Sequence, residues 1–353
     1  MINETLILKI YYNICAILGV VPHGSPRVNL FFKYPLMTFL VALGFYVIYS
    51  KIIDFDGYDV LLLCTDVLYL CFSATHLYEL YYNKYLWNKL CVLLLYLDTT
   101  FGRIHVSKLL IFKHFSCAAA LSCVLIAEAI TFHSMLSLPC TLYRFIIDIQ
   151  IIAVTILIFE VCKRITKELE TFCVLLENFG TTELLHRNET INTLKKFGRA
   201  YMNIYLINGY VNEIFGKTIL IIILILCLKL VPTICFYTTI FFVNFPVNII
   251  FVIDSSYLGT YIILVVLLVI AGDRIENCGK RTIRLFHVLQ AHLQDPLTDN
   301  EIEDFTVLLE KLRPVLAAAG FINVNRRLFP ILLSNITTYI IIMIQLNLYT
   351  ISS

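Results

Sequence analysis

Seven apolar runs recur along the chain, at about 34–53, 60–80, 112–133, 139–161, 218–240, 249–271 and 328–351. At roughly 1.5 Å per helical residue, each is long enough to cross a hydrocarbon core about 30 Å thick. The composition agrees: 59% of residues are hydrophobic and 15% are charged, too little polar surface to keep so many apolar segments dissolved. The expected fold class is all-α, a polytopic membrane protein with seven transmembrane helices in the lipid bilayer.

Charge placement sets the expected orientation. Of the 27 Lys and Arg residues, 24 fall in four places: the N-terminal segment, the second connection (Lys84, Lys89, Arg103, Lys108, Lys113), the fourth and the sixth. The third and fifth connections and the C-terminal tail hold none. Positive charge marks the cytoplasmic side, most reliably in shorter loops such as the second. The N-terminus is therefore expected in the cytoplasm and the C-terminus outside, the reverse of a G-protein-coupled receptor. Leu6 to Val21 is apolar, but Lys9 interrupts it and no convincing small-residue cleavage site follows. It is expected to form an amphipathic helix resting on the membrane or on the cytoplasmic part of the protein.

The connections on the basic side are long and helical in pattern. Leu169, Phe172, Leu175, Leu176 and Phe179 recur at helical spacing. After a loop at 181–188, Leu194, Phe197, Tyr201 and Tyr205 continue into the fifth run. Ile275, Ile283, Phe286 and Leu289 extend the sixth run to about Asp295-Pro296. Thr298 and Glu301 then have capping-box spacing, and Gly320 is expected to end the helix that follows. The chain divides accordingly into 1–161 (N-terminal helix and spans one to four), 162–217 (cytoplasmic), 218–271 (spans five and six), 272–327 (cytoplasmic) and 328–353 (span seven).

Ionisable residues inside apolar runs are costly and are usually retained for function. Six stand out: Asp66, Glu128, Arg144, Asp148, Lys229 and Asp254. Counting from the span ends puts all but Lys229 within roughly 8–14 Å of the external surface, while Lys229 lies near the midplane. Tyr69, Thr131, His133, Tyr143, Tyr237, Tyr257 and Tyr261 share that depth. We expect an external pocket between spans two and six for a small organic ligand, lined by Asp66, Tyr69, Glu128, Arg144, Asp148, Tyr237, Asp254 and Tyr257. Arg144 and Asp148 are four apart and able to pair along one helix face. A structural salt bridge is the plain alternative for that pair, and a membrane-interface belt is the alternative for the tyrosines.

The last run carries Thr338-Tyr339, five aliphatic or sulfur-bearing residues, then Gln345-Leu346. A Gln in lipid usually faces other helices or water. Ile342 and Gln345 are three apart and share roughly one face. This pattern resembles the C-terminal signature of the insect gustatory receptor family, a Thr-Tyr, five hydrophobic residues and Gln-Phe, with Leu346 in the last place. The stretch Ala319 to Arg327 and Leu18-Gly19-Val20-Val21-Pro22 are also similar to that family. The resemblance implies a tastant-gated, non-selective cation channel in the plasma membrane of a sensory neuron dendrite. It implies a homotetramer, or a heterotetramer with related receptors, whose cytoplasmic helices form the anchor where subunits meet. It places the pore on span seven, with Ile342, Gln345 and Leu346 at the gate. Sugar-receptor members commonly have Glu after the motif Tyr, where this chain has Ile340. That favours bitter plant compounds, with a fructose-type sugar receptor as an alternative. A seven-helix receptor signalling through a partner protein is the other.

Other functions lack support. There is no Walker A loop, HExxH or Gly-x-Ser-x-Gly, so no enzyme, cofactor or metal site is expected. His287 and His292 alone do not make a metal site, and no basic-aromatic array suggests nucleic acid. The 12 cysteines form no CxxC pair and are expected to be free thiols; Cys140 and Cys235 are the one pair near the outer span ends. The sequons at Asn3, Asn188 and Asn335 fall inside the cell or inside a span, so no N-glycan is expected.

Overall fold

A computed structural model describes residues 2–19, 21, 33–53, 60–100, 105–106, 138–181, 187–243, 249–292 and 296–352. Span three and Glu128, Thr131 and His133 lie outside the described residues. The described part is all-α. It comprises α1 (Glu4–Ile17), α2 (Tyr34–Ile53), α3 (Val60–Tyr82), α4 (Lys84–Thr100), α5 (Leu138–Thr181), α6 (Arg187–Val243), α7 (Ile249–His292), α8 (Pro296–Lys311) and α9 (Leu328–Ser352). Two short antiparallel ladders join them: β1 (Ile2–Asn3) with β2 (His105–Val106), and β3 (Ala317–Ala318) with β4 (Ile322–Asn323). Among the described residues, four stretches, in α2, α5, α6 and α7, are long and apolar enough to cross a membrane by length and composition.

The three longest helices run unbroken from expected spans into expected cytoplasmic segments. α5 carries Pro139 in its first turn and Gly180 at its end, with neither residue between them. Pro tolerates a helix start and Gly a helix end, so nothing interrupts the 44 residues. The boundaries at 161/162, 217/218 and 271/272 therefore fall inside continuous helices. Of the expected loop at 181–188, Thr181 ends α5, Arg187 and Asn188 open α6, and 182–186 lie outside the described residues.

The charged ends of these helices pack around aromatic rings. Phe172 of α5 lies 5.7 Å from Phe197 of α6 and 6.4 Å from Phe286 of α7, centre to centre. Phe305 of α8 lies 4.8 Å from Phe286. Each such ring contributes about 1.5–3 kcal/mol on full burial.

α1 is two-faced: Tyr11, Cys15 and Ala16 are buried and it packs on α5, while Lys9, Asn13 and Ile17 are exposed. Gln150, well inside span four, donates its amide to the Leu18 carbonyl at 2.7 Å, so the end of α1 satisfies a polar group in the bundle. α4 is an additional helix in the second connection. α8 ends at Lys311, nine residues before Gly320, because Pro314 lacks an N–H and disfavours helix at Arg313. Gly320 instead turns the β3–β4 hairpin at φ +75°.

Candidate functional site

The buried face of α3 repeats at helical spacing and includes Asp66, Tyr69, Phe72, Ser73 and His76. Two of these meet charged residues of other helices. The fully buried Asp66 carboxylate accepts both prongs of Arg144 from α5, Nε to Oδ1 at 2.9 Å and Nη2 to Oδ2 at 3.0 Å. Lys51 from the end of α2 reaches Oδ2 at 2.7 Å. Forked guanidinium–carboxylate geometry is the strongest of ion-pair arrangements, and low dielectric strengthens it further.

One turn further along α5, Asp148 forms a second centre. Tyr69 of α3 donates its hydroxyl to Asp148 Oδ1 at 2.6 Å, and Tyr261 of α7 donates to the same oxygen. The two phenol oxygens are 3.3 Å apart. Lys229 of α6 places its ammonium 4.0 Å from that oxygen and over both rings. Tyr143 packs edge-on to Tyr69. Asp66 and Asp148 together tie α2, α3, α5, α6 and α7.

Of the residues expected at the pocket, Asp66, Tyr69, Arg144 and Asp148 are gathered here. Arg144 and Asp148, whose spacing allows pairing along one helix, reach out to separate partners on other helices. Side chains of Tyr237, Asp254 and Tyr257, on α6 and α7, are outside the described residues. Lys229 and Tyr261, which charge and depth mark in the sequence, join this group although the expected pocket lining does not include them. Lys51 gave no signal beyond closing its span. Cys140 is free among the described residues, and the Cys235 side chain lies outside them.

The start of α9 is fixed by a separate polar group. Asn325 accepts the Arg327 N–H through Oδ1 at 3.0 Å, and its carbonyl accepts Leu328 N–H at 2.9 Å, a cap on the incoming helix. The Asn325 amide donates to Glu276 Oε2 of α7 at 2.7 Å. Glu276 also binds Lys280 at 2.9 Å and receives Arg313. Burial opposes ionisation of Glu276, but these donors and charges outweigh it and hold the carboxyl below its ordinary value of 4.5. A carboxyl held low contributes stability above its unfolded value, and that contribution disappears as pH falls through its folded value. Glu276→Gln is therefore expected to lower the thermal midpoint by a few degrees at pH 7. The gap to the unmodified protein should close as pH falls below 4.5.

Further along α9, Ile336 is buried against the bundle, while Ser334, Asn335, Thr338, Ile341, Ile342 and Gln345 are exposed on the single chain. Thr337 and Thr338 donate their hydroxyls back to Leu333 and Ser334 carbonyls at 2.8 and 2.9 Å. The Tyr339 and Leu346 side chains are outside the described residues.

A family model described as 7tm chemosensory receptor matches residues 8–349. The chain belongs to the seven-transmembrane chemosensory receptor family. Insect members of this superfamily are ligand-gated cation channels, not enzymes. Two solved structures share the receptor's fold, both of the insect olfactory receptor OR5 from Machilis hrabei. The complex with eugenol has a TM-score of 0.68 at 12% identity, covering 97% of this chain and 98% of that one. The other structure of OR5 has a TM-score of 0.68 at 13% identity, covering 97% and 99%. No curated protein sequence matches. The receptor is thus a multi-pass membrane protein of chemosensory type.

Proposed function

We propose that this receptor is a tastant-gated, non-selective cation channel of gustatory type, working in the plasma membrane of a sensory neuron dendrite. The observation that carries this is α9. Its motif residues Thr338 and Gln345 and the aliphatic Ile341 and Ile342 lie on a face that one chain leaves uncovered. A single helix cannot enclose an ion path, so the reading requires several copies, a homotetramer or a heterotetramer with related receptors. Aliphatic side chains then narrow a water path that closes by dewetting, with Ile342, Gln345 and Leu346 at the gate. Residues 162–217 and 272–327 form the cytoplasmic anchor in this reading. The charge bias puts the N-terminus on the same side.

The ligand enters from outside, at the pocket around Asp66, Tyr69, Arg144 and Asp148. Glu128, Tyr237, Asp254 and Tyr257 belong to the same depth. Ligand must favour the open state over the closed one, because equal affinity shifts nothing. Ile340 after the motif Tyr supports bitter plant compounds over the main sugar group.

The test is patch-clamp recording from cells expressing the receptor, alone and with related receptors, against a panel of plant compounds. Ligand-evoked cation current supports the proposal. A response that needs an added signalling protein and carries no current through this chain overturns it. Gln345→Ala is expected to change relative ion permeability or basal opening severalfold while leaving assembly intact, read from reversal potentials and size-exclusion profiles. Unchanged currents would remove Gln345 from the pore.

A further inference from the structure

Tyr69, Tyr261 and Asp148 form an aromatic and acidic enclosure around an ammonium group. Lys229 Nζ lies 4.5 Å from the centre of the Tyr261 ring, 5.2 Å from that of Tyr69 and 4.0 Å from Asp148 Oδ1. Ring faces beside a carboxylate are the chemistry that recognises alkylammonium groups. Each of the four side chains comes from a different helix: α3, α5, α6 and α7.

The walls are set independently of the occupant. Both phenols donate to the same carboxylate oxygen, which fixes how their rings stand. Tyr69 is 0% exposed and Tyr261 1%, whereas Lys229 keeps 13% of its side chain exposed. Lys229 is therefore the most exposed of the four side chains, and its ammonium sits on a flexible four-carbon stem.

Charge decides what is able to replace it. A neutral molecule that displaced Lys229 would remove a nearby cation from Asp148 in a low-dielectric setting, which is costly. A ligand carrying its own ammonium keeps the local charge count.

We propose that the Tyr69–Tyr261–Asp148 cage is a binding site for an organic ammonium, filled in the unliganded receptor by Lys229, so that an amine-bearing ligand acts by displacing Lys229. This deepens the external-pocket reading above by naming a ligand class, and rests on that reading for access.

The experiment measures thermal unfolding of purified receptor against choline and against its neutral isostere 3,3-dimethyl-1-butanol. The proteins are the unmodified receptor, Lys229→Ala and Lys229→Gln. Choline is expected to raise the midpoint of a Lys229 variant, with half-saturation at least tenfold below that of the unmodified receptor, because the tethered competitor is gone. The isostere is expected to do nothing, and adding Tyr261→Leu should abolish the choline effect. Equal effects of choline and the isostere, or no effect on a monodisperse Lys229 variant, would overturn the proposal. If neither variant folds, the unmodified receptor decides: a choline-specific shift at high concentration supports the cage, and no shift refutes it. Unfolding reports binding without channel opening. Absent currents with intact choline binding therefore count against the channel alone, and currents with no choline binding count against the cage alone.

Discussion

Gly272→Ala is expected to abolish most of the folded receptor. A Cβ at this position of α7 would lie 1.8 Å from the Val324 carbonyl oxygen, 3.0 Å from its carbon and 3.3 Å from Leu316 Cβ. The obstacle is mostly backbone, so no rotamer change relieves it. The segment from Leu316 to Val324 is also pinned from the other side. Asn208 and Asn212 of α6 donate to the Val315 carbonyl at 3.0 and 2.7 Å, and Asn212 accepts from Ala317 N–H at 2.9 Å. Leu316, Ala318 and Val324 are all buried. Overpacking costs about 1–3 kcal/mol where side chains are able to yield, and more is expected where backbone must move. Fluorescence-detected size exclusion should show loss of the monodisperse peak. The control is Gly259→Ala on the same helix, where a Cβ meets nothing within 4 Å among the described residues. Helix propensity predicts that it gains up to about 1 kcal/mol, so the two substitutions should move in opposite directions. A normal peak for Gly272→Ala would mean that the hairpin does not sit in this groove.

The second large effect is expected at Asp66. Asp66→Asn removes the charge that faces both Arg144 and Lys51, whose side chains keep only 18% and 11% of their exposure. Breaking a buried pair from one side costs about 3–5 kcal/mol, because an uncompensated charge is left behind. Replacing a whole buried ionic group with apolar residues is often close to neutral. The triple variant Asp66→Leu, Arg144→Met, Lys51→Met should therefore recover most of the stability lost in Asp66→Asn. Thermal midpoints in detergent separate the outcomes. Equal loss in both variants would show that shape, not charge, is what this centre supplies. If the triple variant folds but its ligand-evoked currents are lost, the ionic group serves the ligand response and not the scaffold.

Much of the architecture is legible in the sequence, and the reason is periodicity. Phe172, Phe197, Phe286 and Phe305 stand at helical spacing in segments too charged for lipid, and their rings do meet in one core. The loop expected at 181–188 overlaps the junction where α5 ends at Thr181 and α6 starts at Arg187. Depth along a span is also readable by counting, and Asp66 with Arg144 and Tyr69 with Asp148, which share that depth, are in contact in the fold. Azimuth is not readable that way. Arg144 and Asp148 share a helix at favourable spacing, yet each turns to a neighbour whose position only packing determines. Counting residues places the Lys229 Cα near the midplane, but a long flexible stem lets its ammonium reach to 4.0 Å from Asp148 Oδ1. The capping signal at Thr298 was two residues late, since Pro296 already tolerates the first turn. Gly320 was mistaken for a helix end because its positive φ suits a hairpin turn equally well.

Orientation underlies both the proposed external pocket and the proposed shared pore, and it is testable without knowing the ligand. An epitope tag fused after Ser353 should bind antibody on intact, unpermeabilised cells, while a tag before Met1 should bind only after permeabilisation. The opposite pattern, a C-terminal tag reached only in permeabilised cells, would contradict the account of how ligand and ions meet this receptor.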